Sequence, residues 1–132
     1  MTQQSWKAEH YPVPALKLKN ASDAECLEHT ILKFKGARKE ALEKHGASIE
    51  GAVICFLNPY SDFYFDSFMC SLCEKNREDN GCINCKKCPI GISGNECNKD
   101  DGTDPYTIFQ MTDNPNPMIE LCERLLEENE KK

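Results

Sequence analysis

The sequence predicts a small single domain of the α+β class, two main helices around a short strand or hairpin with a cysteine knuckle closing one end. Three observations carry this. Apolar residues recur at helical spacing over 22–46 and again over 116–130. Between them, residues 51–57 (Gly-Ala-Val-Ile-Cys-Phe-Leu) form an apolar run of strand length that ends at Asn58-Pro59. Six of the nine cysteines fall between positions 70 and 97, in two copies of the spacing Cys-x2-Cys-x8-Cys.

In chain order, residues 1–20 read as an N-terminal arm. Pro12 and Pro14 interrupt it, and Ala15-Leu16-Lys17-Leu18-Lys19 alternates like a short edge strand whose lysines discourage further pairing. The main helix is expected over 22–46. Ser22 and Glu25 make a capping box, Leu27, Ile31, Phe34, Ala41 and Leu42 form its apolar stripe, and Gly46 stops it. Cys26 and His29 are expected to project away from that stripe, as an incidental thiol and a surface imidazole, and His10 and His45 read as lone histidines. Cys55, inside the apolar run, reads as a small buried hydrophobe. Phe63, Tyr64, Phe65, Phe68 and Met69 supply the aromatic centre of the core. Residues 98–116 read as a polar, turn-rich loop pinned by Tyr106, Ile108 and Phe109. The last helix, 116–130, starts with Asn116 as N-cap and Pro117 at the first position. It buries Met118, Leu121, Cys122 and Leu125, and its outer face carries Glu120, Glu123, Glu127 and Glu128.

Charge narrows the function classes. The chain carries a net charge of −6, with fifteen acidic and eight basic side chains beyond position 50. Nucleic-acid binders show the opposite balance, because phosphate neutralisation supplies much of their affinity. The best local basic cluster is Lys33, Lys35, Arg38 and Lys39. No apolar stretch reaches the ~18 residues of a membrane span, and residues 1–19 lack a signal-peptide core. The odd cysteine count leaves one thiol over in any all-disulfide scheme. The reading is a cytoplasmic chain with reduced thiols.

Thiolates in paired knuckles suit a tetrahedral zinc ion. Cys70 and Cys73 with Cys85 and Cys88 make a four-cysteine zinc knuckle within residues 67–100, and Cys82 and Cys97 are alternate ligands. A shared six-thiolate cluster would resemble the binuclear zinc clusters of fungal transcription factors, but this chain has Glu74, Glu78, Asp79 and Glu96 where those carry basic residues. The run Cys82-Ile-Asn-Cys85-Lys-Lys-Cys88-Pro89 is similar to part of a bacterial ferredoxin motif, so an iron–sulfur cluster is the alternative cofactor.

The order Cys70-x2-Cys73, Cys85-x2-Cys88-Pro89, Cys97, then Pro105-Tyr106-Thr107-Ile108-Phe109 and a helix with Met118, Ile119 and Leu125 resembles a loose group of small phage and prokaryotic cysteine-rich, zinc-ribbon-like proteins. Cys82 stands outside that pattern. The resemblance covers about half the chain and implies a metal-stapled fold in a phage or prophage setting. No nucleophile–base pair and no open-site histidine set can be read from the residues, so the expected site is structural and the expected protein is not an enzyme. Its expected action is binding a protein partner, as a modulator or inhibitor of a host protein or defence system. The alternatives are an iron–sulfur redox protein and a nucleic-acid-binding zinc protein.

Overall fold

A computed structural model describes residues 3–57, 60–66, 69–81, 83–95, 97 and 102–130. Cys82, Glu96 and Phe68 lie outside the described residues. The architecture is α+β: helices packed around a small three-stranded antiparallel sheet.

Helix α1 (Gln3–His10) and a 3-10 turn (Ala15–Leu18) replace the extended arm expected at the N-terminus. Pro12 and Pro14 separate the two pieces rather than starting a strand. Trp6, Tyr11 and Ala15 bury their side chains, so this segment is part of the core.

Helix α2 (Asp23–Lys35) begins as its capping box predicts, the Ser22 hydroxyl accepting the Glu25 amide at 3.1 Å. It ends early. Helix α3 (Lys39–Lys44) restarts after Arg38, whose backbone is extended, so the single helix expected over 22–46 is two. Trp6 packs against the break. Its indole N–H donates to the Gly36 carbonyl at 3.0 Å, an oxygen that a continuous helix would offer to its own ladder. The ring lies so close that a Cβ on Gly36 would sit 2.5–2.7 Å from it, which only glycine avoids. Cys26 and His29 are buried rather than exposed. The imidazole Nε2 of His29 lies 2.6 Å from the Val13 carbonyl, tying α2 to the N-terminal segment.

Strands β1 (Ala47–Glu50), β2 (Val53–Leu57) and β3 (Tyr60–Tyr64) pair in that order. The β1–β2 turn needs positive φ at both Gly51 and Ala52, and the strained Ala52 is held by its N–H donating to Asp113 Oδ1 at 2.9 Å. Ile54, Phe56 and Phe63 face inward and are buried. Leu57 opposite Tyr60, and Tyr64 opposite Val53, lie on the outer face, where Leu57, Tyr60 and Tyr64 are exposed. Cys55, on that outer face, is half-buried rather than a core residue.

The core is an aromatic relay. Trp6 meets Phe63 at 4.7 Å between ring centroids, Phe63 meets Phe65 at 5.3 Å, and Phe65 meets both Phe34 and Phe109 at 5.0 Å. Phe109 arrives on a helix where a loop was expected. Asp104 caps α6 (Pro105–Thr112), accepting the Thr107 amide at 2.9 Å, and Pro105 opens its first turn. Helix α7 (Asn116–Glu130) packs along α2 through Met118, Ile119, Leu121, Cys122 and Leu125. Burying each of the larger of these side chains is worth about 1.5–3 kcal/mol. The glutamates Glu120, Glu123, Glu127 and Glu128 face outward, as the periodicity predicts.

Candidate metal centre

The two knuckles are assembled in the same way. Cys70 precedes the short helix α4 (Ser71–Lys75) and Cys88 precedes α5 (Pro89–Ile92), each in extended backbone at the N-cap. A sulfur at that place faces the unpaired amides of the first turn. The amides of Leu72 and Cys73 favour the charged form of Cys70, and those of Ile90 and Gly91 favour that of Cys88. The chain between the knuckles doubles back, with Arg77 bridging to Ile83 and the Asn84 amide donating to the Asn76 carbonyl at 2.8 Å. That reversal sets the second knuckle beside the first. Gly91 completes it, since a Cβ there would lie 1.8 Å from the carbonyl oxygen of Cys85.

Cys70, Cys73, Cys85 and Cys97 line one cavity of about 140 Å³, together with Phe65, Ile90, Tyr106 and Met118. Cys88 is buried beside them at 7% exposure, close enough to raise Cys73 and Cys97 and to be raised by Cys70. No disulfide joins the described cysteines. The structure thus gathers the five described candidate ligands, and Cys97 lines the cavity where Cys88 does not.

Electrostatics divides these thiols into two kinds. Cys70 is held well below the usual thiol range, first by the Cys73 thiol donating to its sulfur, then by the nearby Lys33 ammonium and the two amides. Cys73 moves the opposite way because it holds the proton of the pair. Burial pushes Cys88 up to about 11 and raises Cys97 as well. Lys33 is 1% exposed, a buried ammonium that donates to the Met69 carbonyl at 3.0 Å and lies 5.0 Å and 5.5 Å from the rings of Phe34 and Phe65. It is therefore not part of the surface basic cluster the sequence suggested. It is the counter-charge of the cavity.

These residues fit a thiolate-bound metal in donor type, burial and charge. Four sulfurs around a divalent cation leave net negative charge, and Lys33 and the first-turn amides supply the balancing positive groups. Among the described residues, no three sulfurs lie within 4.8 Å of one another, so an ion would draw them inward across the cavity. One group does meet that spacing: Glu9, His10 and His45, at the junction of α1 with the end of α3. The sequence reading missed it by taking both histidines singly. The signal is the pairing of distant elements, and no local motif carries it. Comparison of the chain with protein-family models, curated proteins and solved structures finds no match.

Proposed function

We propose that the chain is a zinc-stapled binding protein, in which Cys70, Cys73, Cys85 and Cys88 hold one zinc ion, with Cys97 and Cys82 as alternate ligands, and the surface engages a protein partner. The observation that carries this reading is the convergence of cysteines from three separate segments on one cavity with Lys33 as counter-ion. A thiolate-only donor set closes the coordination of zinc and leaves no open position, which suits a structural role.

Protein binding is supported by the outer sheet face, where Leu57, Tyr60 and Tyr64 present exposed apolar and aromatic area beside Glu50. With the glutamate face of α7 and the net charge of −6, the chain suits a partner surface that is basic and apolar. The proposed role is that of a modulator or inhibitor of such a protein, in the phage setting that the cysteine pattern resembles.

Elemental analysis with a visible spectrum, on protein purified without oxygen, tests the metal reading. One colourless zinc per chain, lost on replacing Cys70 and Cys73 by Ser, is expected. Iron with absorbance near ~400 nm would replace it with the iron–sulfur reading. The partner reading is tested by Tyr60→Ser with Tyr64→Ser, which keep the zinc and lose the partner.

A further inference from the structure

Three side chains that the cysteine cavity does not use meet at the end of α1. Glu9 and His10 are neighbours there, and His45 follows α3. Both histidines are buried, His10 at 7% and His45 at 5% exposure. His45 Nε2 lies 3.0 Å from Glu9 Oε2, and His10 Nε2 lies 3.6 Å from Glu9 Oε1. Ligand atoms on a tetrahedral ion with bonds near 2.0 Å stand about 3.3 Å apart. One ligand atom from each residue lies within 4.8 Å of the other two, so small side-chain movements bring the three to that spacing.

The ring nitrogen on the far side of each imidazole faces a group able to accept a proton. His10 Nδ1 lies 3.0 Å from the Leu32 carbonyl, which can only accept, so Nδ1 carries the proton and Nε2 the lone pair. That Nε2 is buried with no hydrogen-bond partner and is aimed at Glu9. A buried, unpaired imidazole nitrogen is costly unless something occupies its lone pair. His45 Nε2 donates to the Glu9 carboxylate, and its Nδ1 lies 3.1 Å from the Ser5 hydroxyl, which can accept a proton there once an ion takes the place of the one on Nε2. This is how metal-bound histidines are oriented by the groups behind them.

We propose that Glu9, His10 and His45 form a second metal site, separate from the cysteines, for a divalent transition ion of the zinc class with at least one coordination position open to solvent. Two imidazoles and one carboxylate leave that position, in contrast to the closed thiolate set. Lys44 is the competitor. Its Nζ lies 2.9 Å and 3.1 Å from the two Glu9 oxygens, and its side chain is 62% exposed, so it can swing into water when an ion arrives.

The test uses the full chain, first incubated with one equivalent of Zn2+, which the thiolates take in preference, and then titrated with Co2+ by calorimetry and visible absorption. One further equivalent is expected, with the weak bands of a nitrogen–oxygen site and no sulfur-to-cobalt charge transfer. Glu9→Gln and His10→Gln each weaken it at least by the ~10–100-fold that loss of a supporting group costs at known sites. Lys44→Ala tightens it, an effect that misfolding does not produce. The proposal is overturned by no uptake in wild type and Lys44→Ala, by uptake showing sulfur charge transfer alone, or by uptake unchanged in Glu9→Gln. Failure of the cysteine reading shows separately, as cysteine thiols that stay reactive towards a thiol reagent after the first step.

Discussion

Replacing Gly91 by alanine strikes the second knuckle through its backbone. The added Cβ would lie 1.8 Å from the Cys85 oxygen and 2.8 Å from its carbonyl carbon. Real Cβ contacts essentially never fall under 3.0 Å, so α5 and the Cys85 peptide must separate by more than an ångström. Neither partner is a flexible side-chain tip. Overpacking of this kind costs about 1–3 kcal/mol, and each kcal/mol lowers the melting temperature of a chain this size by roughly 3–5 °C. Metal binding suffers more, because ligand distances tolerate only about ±0.2 Å. Gly91→Ala is expected to melt several degrees lower and to lose zinc to a chelator that wild type resists. Ile92→Ala, a neighbour at 70% exposure, is the control and changes neither. Wild-type melting and wild-type zinc retention in Gly91→Ala would refute the reasoning, since the close approach of α5 to Cys85 would then hold nothing in place.

Further outcomes follow from other contacts. Gly36→Ala pushes a methyl into the Trp6 ring, so the emission of this single tryptophan should shift to the red and stability fall by about 1–3 kcal/mol. Lys33→Met removes the buried cation beside the Cys70 sulfur and the donor to the Met69 carbonyl; a chelator competition should show weaker zinc binding, and the metal-free protein should melt lower than wild type. Burial depresses His29 below its ordinary 6.5, so the unfolded chain takes the proton first. The stability it contributes is whole above about 6.5 and drains as pH falls through the folded value; His29→Gln should flatten that limb of a denaturation-versus-pH series. Cys88 runs the other way. Its stability contribution in the metal-free protein is complete below its ordinary 9.0 and is lost as pH rises through about 11, a limb that zinc loading should remove.

The parts of the fold legible in the sequence are those governed by neighbours in the chain. Ser22 with Glu25 announces the start of α2, and the spacing of Met118, Leu121, Cys122 and Leu125 gives the buried face of α7. Asp104-Pro105 is an equally good start signal for α6, but the polar residues around it suggested a loop instead. What stayed hidden depends on partners far along the chain. Nothing near Gly36 says that Trp6 will occupy it, and so the main helix looked continuous. Lys33 looked like a surface charge because its partner, the Met69 carbonyl, belongs to another segment. For the candidate site, the knuckle spacing named the cysteines, while only the fold shows that Cys97 shares their cavity and that a lysine stands behind it. The Glu9–His10–His45 group was unreadable for the same reason.

The cysteine cavity is walled by residues from Thr30 near the start of the chain to Met118 near its end. Its assembly therefore waits on contacts of long sequence separation, which form late because chain closure must precede any gain from them. A nascent chain that has exposed Cys70 through Cys88 but not α7 has knuckles without a chamber. Successively longer fragments should stay poor at retaining an ion and then acquire that ability in one step, once Met118 is included. On the zinc-stapled reading, ion retention reports that a chain has been made through Met118 and folded.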